Sequence, residues 1–334
     1  MKMAGLGRYL TRRAITFVPT LIGVTLITFF IAFVMPADPA RLWAGGERAR
    51  PETIELIRKQ YHLDDPWWEA YYFFLTSIIQ NKMMSPVTHN FVLNDIVIRF
   101  PITLTIAVLA TLMTVAIGVP LGIIAALKKD TSIDSFVRIF ALIGYSTPSF
   151  WIAYIFMWIF YLKLKLITVA GYVTPSQLIT GIMFIDALIT GEFDVFVDIM
   201  RRLFLPSFVL AFISAGGLAR YVRNSMLDVL SADYIEFARA KGLPSFTLWR
   251  HALKNSLIPI VTVIGFMFGG LLGGALITET VFGINGLGRL FASSITNFDI
   301  PMIIVSTLLM GIIFLITSLI VDLLYAIIDP RVRL

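Results

Sequence analysis

A chain of 334 residues that is 58% hydrophobic and only 14% charged, with a mean hydropathy of +0.85, falls outside the range of soluble globular domains. Continuous apolar runs, rather than alternating ten-residue segments, exclude a β-barrel and point to an all-α, polytopic membrane protein. The net charge of +6 would suit nucleic acid, but the basic residues are confined to particular connections, which makes them a topology signal instead; the absence of cysteine excludes disulfides and thiolate metal sites.

Residues 1–13 carry Lys2, Arg8, Arg12 and Arg13. A bilayer core of about 30 Å takes roughly 20 apolar residues per helix, and the first such run is Ala14–Met35 (residues 14–35). It is longer than a signal-peptide core and no small-residue cleavage site follows, so it reads as an uncleaved span. Residues 36–100 form a long outer connection. Within it, PETIELIRKQYHLDDPWWEAYYFFLTSIIQ holds two helical patterns separated by a turn at Leu63–Pro66, so the segment is expected to fold. Pro51 suits a first helical position, and Ile54, Leu56 and Ile57 give part of an apolar face. Trp67, Trp68, Tyr71 and Tyr72 suit either an anchor at the membrane interface or a surface touching an external partner.

Residues 101–328 contain five further apolar runs: Pro101–Leu127, Phe136–Leu162, Leu203–Ala219, Leu257–Phe282 and Pro301–Ile328, the fourth span being the shortest. The second connection carries Lys128, Lys129 and Arg138. The fourth carries Arg220, Arg223, Arg239, Lys241, Arg250 and Lys254, and the tail (residues 329–334) Arg331 and Arg333, whereas the fifth has only Arg289. The positive-inside rule therefore places both termini and the second and fourth connections in the cytoplasm of a multi-pass cell-membrane protein; the outer connection, at more than about 60 residues, is too long to obey it.

Several smaller patterns stand out. The connection Lys163–Arg202 allows one short helix near Pro175–Leu188. Tyr145, Ser146, Thr147 and Pro148 would kink the third span, turning hydroxyls toward a pathway or satisfying local backbone. Gly265 with Gly269, and Gly270 with Gly274, have the spacing that lets helices approach closely in lipid, within the chain or against a partner chain. Glu279 and Asp322 are intramembrane carboxylates, hence functional candidates, but their positions near span ends favour an interfacial role. His62, His89 and His251 are too scattered to bind a metal.

Residues 220–256 interrupt the apolar pattern with a cytoplasmic insert. DYIEFARAKGLPSFTLWRHALKNSLIPIV (Asp233–Val261) reads as a helix-turn-helix. Asp233 is expected to cap the first helix with Glu236 completing a capping box; Gly242 ends it and Pro244 prevents its continuation. Ser245 is expected to cap a second helix running through Trp249 and Leu253 into the fifth span, and Ala238 is small enough to admit a close surface. A solvated loop with ordinary caps would share these features. The chain has no G-x-x-x-x-G-K-[ST], so it cannot cradle nucleotide phosphates by that route.

The insert resembles the cytoplasmic EAA loop of permease subunits of ATP-binding-cassette importers, in Glu236, Ala238 and Gly242, with Phe237 standing where that motif has an alanine. ARAKG (Ala238–Gly242), WRHALKNSLIP (Trp249–Pro259), STPSFW (Ser146–Trp151), ETVFGINGLGRL (Glu279–Leu290) and DPRVR (Asp329–Arg333) are similar to the dipeptide and oligopeptide branch, first-permease type, as is RRAITFVPTLIGVTLITFF near the N-terminus. The matches run in order along essentially the whole chain. Asn285 stands where a proline is usual, PADP replaces PGDP, and Asn81–Asn90 lacks the usual glycine-rich pattern. The resemblance implies a type I permease fold of about six helices, paired with a second homologous permease, two ATPase subunits and an external substrate-binding protein. It implies no catalytic residue and no cofactor in this chain, ATP–Mg being bound by the ATPases. It makes the insert a coupling helix, with Asp233, Glu236, Ala238, Arg239, Lys241, Gly242 and Arg250 directed at an ATPase. The implied cargo is oligopeptides or dipeptides, with short oligosaccharides as the alternative. A stand-alone secondary transporter would instead show inverted repeats and midplane charges. The sequence offers no clear repeat and few such charges, nor a nucleophile–base pair for an intramembrane protease.

Overall fold

The computed structural model describes residues 3–34, 38–46, 49–167 and 173–328. DPRVR, the tail, Met1, Lys2 and the residues at 35–37 lie outside them, as do the side chain of Asp322 and the surroundings of Gly274. The described residues form helices and one isolated β-bridge, Met84 to Phe91, with no strand. Among the described residues, four helical segments are long and apolar enough to cross a bilayer: Phe17–Val34, Val92–Leu127, Phe193–Leu230 and Ile300–Val321. Two bent helix pairs bring the number to six when each counts as one span.

The chain divides into two compact units, residues 1–103 with 285–315 and residues 104–284 with 316–334. In the first, α1 (Met3–Phe29) runs into a π-helical turn, Phe30–Val34. The outer connection folds as expected, into α2 (Pro39–Trp43), α3 (Pro51–Gln60) and α4 (Trp67–Ile79). Pro51 is the first residue of α3, where its missing N–H costs nothing. Ile57 is buried and Ile54 packs on the core, but Leu56 points outward, one residue being enough to leave a helix's apolar stripe. The core of this unit is aromatic: Phe33 lies 4.8 Å from Trp43 and 5.3 Å from Phe74, and Trp43 4.8 Å from Tyr61. Such offset and edge-to-face pairs favour one arrangement of the loop helices over others. α13 (Leu287–Thr296) completes the unit, its Leu287 N–H donating to the Thr103 hydroxyl at 2.8 Å.

The second unit holds most of α5 (Val92–Leu127), which begins nine residues before the expected span. α6 (Ser132–Ser146) and α7 (Ser149–Phe156, continuing as a π-helical segment to Lys163) replace the third span by two helices at 104°. Pro148 has no N–H to give, and it forces Thr147 into extended backbone, φ −94° and ψ 131°. The short helix of the third connection is α8 (Met183–Ile189), C-terminal to most of the expected range. α9 (Phe193–Leu230) is the longest helix, at 38 residues, although sequence made its span the shortest. Charges interrupt the apolar run but not the helix, because Arg202 pairs with Asp198 one turn away at 2.7 Å. α10 (Asp233–Ala240) follows, then α11 (Ser245–Gly274), bent by 43° near Pro259. Ala275 breaks the fifth span ahead of α12 (Leu276–Val281), and α14 (Ile300–Ile328) is the last span.

Candidate functional site

Two non-helical residues, Ser231 and Ala232, separate α9 from α10, so the insert is an extension of a membrane helix. The expected capping box does not form. Ala232 occupies the N-cap, and Asp233 and Glu236 lie inside the first turn, where their carboxylates act on the helix dipole rather than as hydrogen-bonding caps. Likewise Pro244, not Ser245, precedes α11, which has no side-chain cap. The C-terminal signal is realised: Gly242 has φ +82°, its N–H donates to the Arg239 carbonyl at 2.9 Å, and the Leu243 N–H reaches the Ala238 carbonyl at 3.3 Å. That pair of bonds is a Schellman closure.

Ile235 is buried, and Asn255 Nδ2 of α11 donates to the Tyr234 hydroxyl at 2.7 Å, tying α10 to the start of the next helix. Ala238, one turn beyond Ile235, is half-buried on the inward side, so its small side chain serves α10's own seat more than an incoming surface. The exposed side presents Phe237 (62% exposed) and Phe246 (61%), with Arg239, Lys241 and Arg250 around them. Lys241 Nζ stands 4.4 Å from the Phe237 ring, and Phe246 packs edge-on to Trp249 at 4.8 Å. Phe237, the departure from the motif, is thus the most protruding apolar group of the helix pair. Below lies an apolar core of Ala126, Leu218, Val222, Met226, Ala252 and Ile260 from α5, α9 and α11.

A second feature joins this insert to α6. Asp134 is fully buried and receives Arg223 Nε at 2.5 Å and Nη2 at 2.7 Å, the Asp130 N–H at 3.1 Å, and Arg138 Nη2 at 3.7 Å. Sequence gave no signal for this, since Asp134 and Arg223 are 89 positions apart. Above it the α6–α9 contact is made of small residues: a Cβ on Gly216 would come within 2.7 Å of the Ala141 Cα. The Tyr145–Pro148 stretch at the end of α6 realises the kink. The Thr147 hydroxyl donates to the Ile143 carbonyl at 2.6 Å, satisfying local backbone, while Tyr145 and Ser146 are exposed and Arg220 stands 6.0 Å from the Tyr145 ring.

Among the glycines, Gly265 meets Val321 and Gly269 meets Thr317, both on α14 of the same chain, so these two pack within the subunit. Gly270 has nothing within 4 Å. Sequence reading passed over Gly118 and Gly122 of α5, which have the same spacing and face the Ala215 and Ala219 carbonyls of α9, the approach at Gly122 being the tighter of the two. Glu279 is fully buried within the protein, on the short helix that follows the break at Ala275.

On the outer connection, Trp67, Trp68 and Tyr72 are exposed, whereas the Tyr71 hydroxyl is 2.7 Å from that of Thr25 on α1 and its ring packs on Phe29. Tyr71 therefore holds α4 to α1. Trp67 also borders an apolar groove of about 510 Å³ along the end of α1. Asp299 accepts from the Met302 N–H at 3.2 Å and from the Ser85 hydroxyl, capping α14; burial pushes its carboxyl above the ordinary range.

Several long apolar helices, with a short helix pair bearing exposed aromatic and basic side chains on one connection, define a polytopic membrane protein. Residues 118–334 match the family of binding-protein-dependent transport system inner membrane components, and residues 6–107 match the N-terminal region of such membrane components; the chain belongs to this family. It is 39% identical over 316 residues to a probable D,D-dipeptide transport system permease protein of Escherichia coli, covering 93% of each chain. It is 36% identical over 334 residues to the dipeptide transport system permease protein of Escherichia coli, covering 98% of each. A di/tripeptide transport system permease protein of Pseudomonas aeruginosa is 36% identical over 330 residues, covering 97% of this chain and 98% of that one. The protein is therefore a membrane-embedded component of a multi-part transport system.

Proposed function

We propose that this chain is one of two homologous permease subunits of an ATP-driven importer of dipeptides and short oligopeptides, which an external binding protein delivers. The observation that carries the reading is similarity at 36–39% identity over nearly the full length to permeases named for dipeptides and tripeptides. The oligosaccharide alternative finds no support among these relatives. ATP is hydrolysed by two separate subunits, and α10 with the start of α11 docks in their grooves through Phe237, Phe246 and the surrounding basic residues. Trp67, Trp68 and Tyr72 face the binding protein or the outer interface, and Gly270 with Tyr145 and Ser146 lies toward the pathway or the partner permease.

Reconstituted with its partner subunits in vesicles, the complex should take up a labelled dipeptide only when ATP and the binding protein are both supplied. Unlabelled dipeptides should compete and short oligosaccharides should not; competition by the saccharides alone would overturn the substrate assignment. Topology is checked separately. The chain has no native cysteine, so single cysteines at Ser245 and Glu52, both exposed, should react with impermeant reagents from the cytoplasmic and outer sides respectively. The reverse pattern would refute the orientation read from charge.

A further inference from the structure

We propose that Asp134 and Arg223 are positioning residues for transport: a buried clamp that makes α6 move with α9 and α10, so that displacement of the insert reaches the bend at Thr147–Pro148. The inference rests on the reading of α10 as the coupling element. Three observations carry it. The carboxylate is fully buried and held bidentately by Arg223, with the Asp130 N–H on the same oxygen as Arg223 Nη2, so the start of α6 and the 128–131 connection are fixed to α9 at a single point. Arg223 lies two turns before the end of α9, and only Ser231 and Ala232 separate that end from α10. Beyond the clamp the described α6–α9 contact is made largely of small residues, with Gly144 and Gly216 against Ile213 and Ala141 backbone, and its ring contacts are Phe140 on Phe212 and Arg220 by Tyr145.

Small residues let two helices approach closely without interlocking long side chains, whereas a two-pronged ion pair fixes one register. Apolar side chains of similar volume would hold the helices together at least as well, so packing alone does not call for a buried charge pair here. The arrangement is a contact pinned at the insert end and made largely of small residues above it. Motion of α10 then swings α6 about the pin and moves Tyr145 and Ser146, the exposed residues before the bend.

The test uses the complete complex in vesicles with Asp134→Asn, and with Arg223→Lys, which keeps the charge but loses the planar fork. Both should keep the ATPase subunits bound and basal hydrolysis intact, while peptide imported per ATP falls about tenfold in the first and less in the second, the size of a coupling loss between packed elements. A spin-label pair at Phe136 and Ser231, both exposed, should keep one distance through nucleotide-free and ATP-bound states in the parent complex and vary in Asp134→Asn. If the parent imports no peptide but the label pair still behaves this way, the clamp stands and the substrate assignment falls. Unchanged import per ATP in both variants, or import that falls only in step with the amount of assembled complex, would overturn the proposal.

Discussion

Gly122→Val is expected to lower the thermal stability of the detergent-solubilised protein by several degrees and to cut the amount recovered from membranes. A Cβ at this position would lie 2.5 Å from the Ala219 carbonyl oxygen and 2.6 Å from the Val222 Cβ, and Gly118, one turn earlier, is 2.9 Å from the Ala215 carbonyl. The first obstacle is backbone in the middle of α9, which cannot rotate away as a side-chain tip could. Valine adds two further methyl groups, so α5 and α9 must separate along their shared face. Overpacking of a close contact costs about 1–3 kcal/mol, sometimes more, a sizeable part of a total stability of about 5–15 kcal/mol. In lipid, helix association depends on just this kind of close packing, since burial of apolar surface from water contributes nothing there. Gly270→Ala is the control: nothing lies within 4 Å of its Cβ position, and its melting temperature should match the parent's. Equal melting of Gly122→Val and parent would show that α5 and α9 do not meet at this face.

The contrast between the two glycine pairs indicates what was legible in the chain. Spacing correctly marked Gly265 and Gly269 as close-packing positions, but it could not say against which helix, and Gly118 with Gly122 passed unnoticed inside a run rich in β-branched residues. Composition located the spans because lipid imposes a length and an apolarity on every helix that crosses it. It misjudged the ends. The run Leu203–Ala219 sits within a helix of 38 residues whose Arg202 and Arg223 are paired with Asp198 on the same helix and Asp134 on a neighbouring one, and such pairing is invisible to a hydropathy window. Pro148 did break its helix, yet nothing in the local sequence fixes the angle at 104°. At the insert, Gly242 was readable because positive φ has few sequence solutions, while Asp233 was misread as a cap because its neighbour Ala232 gave no competing signal. Asp134 and Arg223 were beyond reach for the opposite reason, since their meaning depends on a contact between residues 89 positions apart.

Gly242→Val should leave the protein inserted at normal levels and yet abolish import. The residue is exposed and nothing lies within 4 Å of its Cβ position, so no neighbour resists the side chain; the conflict is confined to its own backbone at φ +82°. A β-branched residue is strongly disfavoured there, where strain runs to about 1–3 kcal/mol, and escape to negative φ would break the bonds from the Gly242 and Leu243 N–H groups to the Arg239 and Ala238 carbonyls. Either way the angle between α10 and α11 changes, and Phe237 and Phe246, which both project from this corner, lose their relative placement. The spans and the buried core of Leu218, Val222 and Met226 are untouched, so membrane level and melting temperature should stay near the parent's. Import should fall at least about tenfold, with ATPase subunits bound weakly or hydrolysing ATP without stimulation by the loaded binding protein. Gly242→Asn, which tolerates the left-handed region better than other side chains, should recover much of the activity. Ala238→Arg should behave differently, because Ala238 is half-buried beside Ile235: it should unseat α10 from α9 and α11 and so lower stability as well as import. Wild-type import by Gly242→Val would leave the corner between α10 and α11 without a role in coupling.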